Sequence, residues 1–267
     1  MRTFGAHGPT SLTEQAGTTA VPGVSPTTIE IHLLDSFRLT VDGRSVDLPH
    51  PAQRLLALLA IKRHPLHRTY AAGTLWLDTS DGRAAANLRS ALWRLRSRGL
   101  PLVAPHHGSL DLADGVRVDL WEADALAHRW LTGSETDDDR EASSSGLKGE
   151  LLPDWYDDWA QDERERYRQL RLHALEAMSE RLVRDGRWGD AVLAALAALA
   201  SDPLRESAHR AVIKVYMAEG NVAEAIRQLR RCERLMIEEV GVPPSTKLQE
   251  LIAAQPNTVS EGRWAST

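Results

Sequence analysis

The stretch from residue 83 to residue 98 constrains the fold more than any other part of this sequence. It contains five arginines and no acidic residue. At about 100° per residue, four apolar side chains fall on one side of a helix, namely Ala84, Leu88, Leu92 and Leu95. The pattern therefore predicts a helix that packs on a core through one face and offers basic groups to an anion through the other.

The distribution of charge predicts which half of the chain meets a polyanion. The net charge is −5. Residues 29–120 hold 12 Lys and Arg against 9 Asp and Glu, a net charge of +3, whereas residues 121–267 hold 19 against 27, a net charge of −8. A polyanion attracts the first half and repels the second. We therefore expect the second half to face other proteins.

The composition excludes several classes of protein. Hydrophobic residues make up 42% of the chain, which is enough for a folded core, yet no run of 18 apolar residues predicts a membrane span. The N-terminus lacks the pattern of a signal peptide. The single cysteine, Cys232, excludes an intrachain disulfide framework and most cysteine-rich zinc sites. We expect a soluble cytoplasmic protein with no cofactor, no metal and no membrane partner.

The first half reads as a small α+β domain. Residues 1–28 have no periodicity and are predicted to be disordered. Residues 29–49 alternate around a turn at Asp42-Gly43, which predicts a small antiparallel sheet. Three helices follow: one after Pro51, a second capped by Thr69, and the arginine-rich helix.

A hairpin of two alternating strands is predicted after these helices, before residue 120. Three helices followed by a β-hairpin are typical of a winged helix-turn-helix domain, in which the third helix contacts DNA bases. We therefore predict such a DNA-binding domain over residues 29–120.

The second half, residues 121–254, is predicted to be all-α. A helix begins at Asp119 and stops at residues 133–146, a polar and acidic segment interpreted as a loop or flexible insert. Residues 151–186 are predicted to be mostly one long helix. Beyond residue 254 we expect a disordered tail, 255–267.

A weak repeat supports this second domain. The segments beginning at Gly186 and Gly220 match at an offset of 34 residues, with Ala191 equivalent to Ala225. This spacing is typical of tetratricopeptide helix pairs. The fold prediction is thus two-domain, a winged helix-turn-helix followed by a tetratricopeptide-like helical repeat domain.

The candidate DNA-binding residues follow from the chemistry of the grooves. Arginine recognises guanine and asparagine recognises adenine through paired hydrogen bonds in the major groove. The recognition-helix candidates are Arg83, Asn87, Arg89, Ser90, Trp93 and Arg94. Helix N-termini and loops contact phosphates, which fix the register. The backbone and wing candidates are Arg68, Thr69, His106, His107 and Ser109.

Each candidate also has a simpler interpretation. The arginines could form a solvated face, Trp93 could be a partly buried packing residue, and the two histidines could belong to an ordinary polar turn.

Neighbouring arginines could lower the pKa of Cys232, although a small semi-buried side chain is favoured there. The four arginines between residues 227 and 234 could be a second anion site or a solvated face. The acids near Trp155 and Trp159 favour a solvated first turn over catalysis, so no catalytic residue is predicted.

The order of these motifs resembles a known family. The sheet, QRLLALLA, TLWL, NLRSALWRLRS and HHGSLDLADGVRVDL resemble an OmpR-type winged helix. The segments ELLPDWYDDWAQDERERYRQLRLHALE, DPLRESAHR, EGNVAEAIRQ and EEVGVPPS resemble the bacterial transcriptional activator domain. Together they resemble the Streptomyces antibiotic regulatory protein family over about residues 29–252. The chain has no GxxxxGK[ST] motif, which marks the ATPase domain of the larger members, so it resembles the small members. The polar segment 133–146 departs from the family pattern, in which a helix is usual at this place.

The resemblance implies a transcription activator of antibiotic gene clusters that is associated with the nucleoid. Its implied partners are double-stranded DNA with direct-repeat promoter sites, bound by a side-by-side dimer, and RNA polymerase holoenzyme, contacted through its sigma and alpha subunits. The alternative from the residues is a protein-interaction adaptor that uses the helical repeats without binding DNA. An enzyme is not expected, because the sequence has no P-loop, metal cluster or nucleophile motif.

Overall fold

The computed structural model describes residues 27–141 and 146–253. The segments predicted to be disordered, 1–28 and 255–267, lie outside these ranges apart from residues 27 and 28. Within the described ranges, no helix is long and apolar enough to cross a membrane. The chain folds as a region with small sheets followed by a mostly helical region. In order, the first region contains β1 (Ile29–His32), β2 (Arg38–Val41), β3 (Arg44–Ser45), α1 (His50–Lys62), β4 (Leu66–His67), α2 (Arg68–Leu75), α3 (Asp81–Arg96), β5 (Val103–His106), β6 (Ser109–Leu112) and β7 (Val116–Val118).

The N-terminal sheet is mixed, with strand order β3-β2-β1-β7. β1 pairs antiparallel with β2, and the predicted Asp42-Gly43 turn has positive φ at both residues (49° and 74°), as a type I′ turn requires. β7 pairs parallel with β1. The predicted antiparallel sheet is therefore confirmed for β1, β2 and β3, and β7 adds a parallel strand that the sequence did not predict. The long connection through three helices brings β7 back in the same direction as β1, which a short turn cannot do.

A second sheet, of order β4-β6-β5, contains the predicted hairpin. β5 and β6 are antiparallel, with His106 opposite Ser109, and a two-residue turn at His107-Gly108 joins them. Both turn residues have positive φ, 40° and 89°, again matching the twist of the strands. The hairpin also attaches to β4, immediately before α2.

The ends of the helices differ from the prediction. His67 occupies the cap position of α2, and Thr69 lies inside its first turn, where its hydroxyl shares a 2.7 Å hydrogen bond with His67 Nδ1. The prediction of Thr69 as the cap was therefore wrong. α3 starts at Asp81, two residues earlier than predicted, because Ser80 takes the extended cap conformation. The acid at Asp81 complements the positive end of the helix dipole.

One core joins the sheet and the three helices. Leu88 and Leu92 of α3 are 3% and 6% exposed, and Ala84, Ala91 and Leu95 are also buried, so the apolar stripe is confirmed. Leu151, Leu152 and Tyr167, from far along the chain, belong to the same core.

The second region is a stack of helices. In order it contains α4 (Asp119–Thr132), α5 (Asp137–Glu141), α6 (Asp158–Arg184), α7 (Trp188–Ser201), α8 (Glu206–Glu219), α9 (Val222–Leu235), a π-helical segment (Met236–Val240) and α10 (Thr246–Ala253). The helices α6, α7, α8 and α9 pack on one another in chain order, and α4 packs on α6. Gly186 and Gly220, which are equivalent in the 34-residue repeat, have φ of 72° and 85°, and glycine adopts these values without strain.

One prediction for this region was wrong: the segment 133–146 is not simply a loop, because it contains α5. The prediction that residues 151–186 are mostly one long helix is confirmed by α6, which begins at Asp158 because the preceding backbone makes other contacts. Leu151 forms a β-bridge with Leu34, and the Leu152 N–H donates to the Leu33 carbonyl at 2.9 Å.

Candidate nucleic-acid interface

The outer face of α3 is exposed to solvent. We define it by five of the predicted side chains, Arg83, Arg89, Ser90, Trp93 and Arg94, all of which are exposed. Trp93 is 69% exposed, so it is not a packing residue. Asn87, the sixth candidate on this helix, is half-buried.

Within residues 27–141 and 146–253, the arginines of α3 have no acidic partner. The carboxylates of these ranges that lie within 4 Å of a basic group pair with arginines, lysines and histidines outside α3. The Ser90 hydroxyl donates to the Ala86 carbonyl at 3.1 Å, which leaves its oxygen lone pairs as acceptors. The outer face therefore offers several unpaired guanidinium groups, one hydroxyl acceptor and one indole ring.

α2 packs on α3, and a cleft of about 310 Å³ lies between them. Arg68 and Thr69 line it from α2, Asp81 and Arg89 line it from α3, and its floor is apolar. Thr69 is exposed and Arg68 is half-buried. The structure thus brings two backbone candidates next to one recognition-helix candidate.

The hairpin tip adjoins the start of α2. The Arg68 N–H donates to the Gly108 carbonyl at 3.2 Å, which ties the tip to the helix. His106 and His107 are exposed, with ring centroids 5.5 Å apart, and Ser109 is half-buried opposite His67 in the sheet. The cleft thus places Arg89 of the outer face beside the start of α2, and the bond between Arg68 and Gly108 joins that start to the hairpin tip.

Sequence reasoning missed two residues at this surface. His67 and Tyr70 belong to the start of α2, where His67 bonds Thr69 and Tyr70 is 50% exposed. Histidine is an uncommon cap residue, so nothing in the sequence placed the helix start at Arg68. The one available signal was the aromatic ring of Tyr70 next to two basic residues.

The acids near Trp155 serve to join the two regions. Asp157 pairs with Arg54 of α1, and Glu163 pairs with Lys62 Nζ at 3.1 Å. Asp124 of α4 accepts from Arg63 at 2.7 Å. The expected solvated first turn was therefore wrong for Asp157 and Glu163, which pair with basic groups of α1. These pairs fix the helical region to α1, behind the outer face of α3.

Two other candidate chemistries find no support in the described part of the chain. Burial raises the pKa of Cys232 to about 11, so the nearby arginines do not activate the thiol. No group of three or more His, Cys, Asp or Glu side chains in the described ranges is placed to hold a metal ion.

Comparison with known families identifies the helical region. Residues 118–254 match the model of the bacterial transcriptional activator domain. The regulatory protein AfsR of Streptomyces coelicolor is 29% identical over 238 residues, which cover 82% of this chain and 23% of that protein. AfsR of Streptomyces griseus is 28% identical, over 81% of this chain and 24% of that protein. The chain thus spans about a quarter of the length of these relatives.

A solved structure shares the fold of both regions. It is described as Mycobacterium tuberculosis EmbR in complex with low affinity phosphopeptide, and it matches with a TM-score of 0.69 at 22% identity. The match covers 86% of this chain and 66% of that one, so it includes the sheets as well as the helices. This likeness shows the fold. The domain match and the AfsR relatives show that the chain belongs to the bacterial transcriptional activator domain family, as a regulator of the Streptomyces antibiotic regulatory protein type.

Proposed function

We propose that this protein is a sequence-specific DNA-binding transcription activator. The observation that carries the proposal is the outer face of α3, which exposes arginines beside the start of α2 and the hairpin tip. These arginines have no acidic partner in the part of the chain that the structure describes. In this proposal residues 29–120 are a winged helix-turn-helix domain with α3 as its recognition helix. Residues 121–254 are the activator domain, a tetratricopeptide-like stack.

The proposed chemistry assigns α3 to the major groove. Arg89 and Arg94 are long enough to donate paired hydrogen bonds to guanine, and Ser90 would accept one from a base. Trp93 would contact a thymine methyl group or the sugar-phosphate backbone. Asn87 is half-buried, so its reach toward adenine is shorter than that of the arginines.

Contacts to phosphate would fix the register of α3. The first backbone N–H groups of α2, with the side chains of Arg68 and Thr69, form a site that favours an anion. His106, His107 and Ser109 at the hairpin would meet the neighbouring backbone or minor groove. The 3.2 Å bond between Arg68 and Gly108 supports this assignment, because it holds the hairpin and the helix start as one unit.

The partners and target genes are proposed from the relatives. Family membership supports recruitment of RNA polymerase through its sigma and alpha subunits, and side-by-side binding of two copies to direct repeats. The likeness to AfsR supports a role in antibiotic gene clusters. Association with the nucleoid in the cytoplasm would follow from DNA binding.

The direct test is to recover genomic DNA fragments with the purified protein and to sequence them. We expect an enriched motif, repeated in the same orientation at about one helical turn. The double variant Arg89→Ala/Arg94→Ala should lose the enrichment. The matched control, Arg38→Ala/Arg44→Ala, removes the same charge from exposed positions on β2 and β3 and should keep it. Recovery of fragments without a common motif would contradict the proposal.

The alternative function is that of a protein-interaction adaptor. One observation favours it: α7 carries no charged side chain from Ala191 to Ser201, and Leu193 and Leu196 are 57% and 39% exposed. An exposed apolar helix face suits a protein partner. The same recovery experiment discriminates, since an adaptor would bring down no DNA at any salt concentration.

A further inference from the structure

The basic face of α9 is a second concentration of arginines, which the proposed DNA-binding site does not use. Arg227, Arg230, Arg231 and Arg234 lie within an arc of about 100° on the helix, and all four are exposed. Arg227 pairs with Glu224. For the other three, no carboxylate of the described ranges lies within 4 Å, although Glu233 and Glu238 are close in sequence. We define these four arginines as the basic face.

Such an arrangement is unfavourable without a ligand. Arg230 and Arg234 are separated by one helical turn, and so are Arg227 and Arg231, so like charges face each other at i and i+4. A helix that formed only a solvated face would gain stability from acids at these positions, as α6 does with its Glu165–Arg168 pair. The repulsion would be relieved by an anionic partner.

The short helix α5 presents the opposite charge in a fixed orientation. Glu135, just before α5, is 3% exposed and pairs with Arg181 of α6, and Asp139 accepts two 2.7 Å hydrogen bonds from Arg129 of α4. These inward bonds anchor the helix. Its outward side chains are exposed and have no basic partner in the described ranges; they are Asp137, Asp138 and Glu141, defined here as the acidic face.

The two faces lie at opposite ends of the helical stack. α5 is held by α4, by α6 and by the start of α7, where Arg187 donates to the Arg140 carbonyl at 2.6 Å. The main contacts of α9 are with α8, α10 and the π-helical segment. Two complementary surfaces at the two ends of one stack suit pairing between neighbouring copies.

We propose that the basic face of one copy binds the acidic face of a second copy. Because the two surfaces differ, the interface is heterologous and repeats the copies head to tail in one orientation. The contact itself does not depend on DNA. Its place at a promoter rests on the proposed function, since copies in one orientation suit direct repeats. The rival ligand for the basic face is the phosphate backbone of DNA.

Exposed ion pairs are weak and are screened by salt, so this contact is transient in free solution. Neighbouring DNA sites would hold two copies at a high effective concentration, where a weak contact becomes effective. A test in solution therefore has to trap the contact covalently, and a test on DNA has to measure cooperativity.

The solution test uses Asp138→Cys and Arg230→Cys as separate variants with a short bifunctional maleimide. We expect a cross-linked dimer from the mixture at low salt and much less from either variant alone, since only the mixture places one cysteine on each side of the contact. Cys232 is buried, and the parent chain serves as the blank. Mixing Asp138→Cys with Arg38→Cys is the matched control. A yield from the Arg230 mixture no higher than this control overturns the proposal, whether or not the protein binds DNA.

The DNA test measures affinity for one site and cooperativity on two adjacent sites. We expect Arg230→Glu/Arg234→Glu and Asp137→Lys/Asp138→Lys each to bind one site as the parent does and to lose cooperativity by about tenfold, which corresponds to about 1.4 kcal/mol. The chain that carries all four changes should regain it, because its glutamates meet lysines of the next copy.

Two results on DNA would overturn the proposal. Weaker binding of the Arg230→Glu/Arg234→Glu variant to a single site would assign the basic face to DNA phosphate. Failure of the four-change chain to regain cooperativity would exclude direct pairing of the two faces. Circular dichroism melting checks that each chain folds, and Arg230→Gln/Arg234→Gln replaces the reversed pair if that one unfolds. If the parent binds no single site, the proposed function fails, and the cross-linking result alone decides the contact.

Discussion

Adjacent side chains of α3 have different roles, one in the core and the next on the exposed outer face. Leu92 is 6% exposed and belongs to the core, whereas its neighbour Trp93 is 69% exposed and touches no other aromatic ring in the described ranges. A large indole left in water has a free-energy cost unless a ligand covers it. Substitutions at these two positions should therefore separate stability from DNA binding.

Replacing Leu92 with alanine should lower the free energy of unfolding by about 2–5 kcal/mol, because a buried side chain leaves a cavity. Urea unfolding followed by circular dichroism measures this change. A loss below about 0.5 kcal/mol would contradict the assignment of Leu92 to the core.

Replacing Trp93 with alanine should change the unfolding free energy by no more than about 0.5 kcal/mol. The same substitution should weaken DNA binding, since the indole would lose its contact with sugar or thymine. Fluorescence anisotropy with a labelled fragment measures the affinity. An unchanged affinity would remove Trp93 from the interface.

At the residue scale, the sequence predicted well which side chains of α3 face the core and which face solvent. Helical periodicity identified every buried leucine, since 3.6 residues per turn fixes the direction of each side chain. It did not predict that Asn87 is half-buried or that the Ser90 hydroxyl bonds to Ala86, because both depend on local packing and rotamers. The pattern left open whether Trp93 is buried. The side chain is 69% exposed because no element of the described ranges packs over that part of α3.

At the scale of elements, α5 shows where sequence reasoning fails. Five polar residues have no apolar period, so they predicted a loop. The helix is instead held by arginines from α4 and α6, which are remote in sequence. The prediction of where α2 starts failed for a similar reason. β4 and the hairpin determine this position, and the cap chemistry of Thr69 does not.

The anchor of α5 should depend on pH. Hydrogen bonds from Arg129 hold the pKa of Asp139 well below its ordinary value. A carboxyl with a lowered folded-state pKa stabilises the fold above its ordinary pKa of about 3.9, and this stability is lost as the pH falls toward the folded value. We therefore expect Arg129→Gln to lower the unfolding free energy at neutral pH and to do so less at about pH 3.

Urea unfolding of the parent and of Arg129→Gln at both pH values tests this expectation. The gap in unfolding free energy between the two chains should narrow on acidification. Arg38→Gln serves as a control, because Arg38 is exposed on β2 and has no carboxylate within 4 Å in the described ranges. A gap of constant size would show that the Arg129 pair does not carry the pH dependence.

At the scale of the molecule, the two regions share a core and should unfold together. Leu152 is fully buried among residues of the first region, and the Trp121 indole of α4 donates to the Ala60 carbonyl of α1 at 2.7 Å. The sequence predicted the order of the main elements in both regions, except for β4 and α5, but it did not predict this junction. The bridge between Leu34 and Leu151 joins remote segments, and no local pattern encodes such a pairing.

Replacing Leu152 with alanine should destabilise both regions by about 2–5 kcal/mol in a single transition. Within each chain, the unfolding transition followed by helix content and the one followed by tryptophan fluorescence should have the same urea midpoint. This should hold for the parent and for the variant. Leu77→Ala is the control, since Leu77 is 69% exposed. Two separate transitions would show that the regions fold independently.

The central claim is that α3 recognises DNA bases, and the most direct measurement is the affinity of the parent and of Arg94→Ala for the enriched fragment and for copies with single base-pair changes. We predict that Arg94→Ala loses about 1–3 kcal/mol on the enriched fragment and no longer discriminates at one base position, with discrimination intact elsewhere. Equal affinities of the two chains for every fragment would contradict the claim.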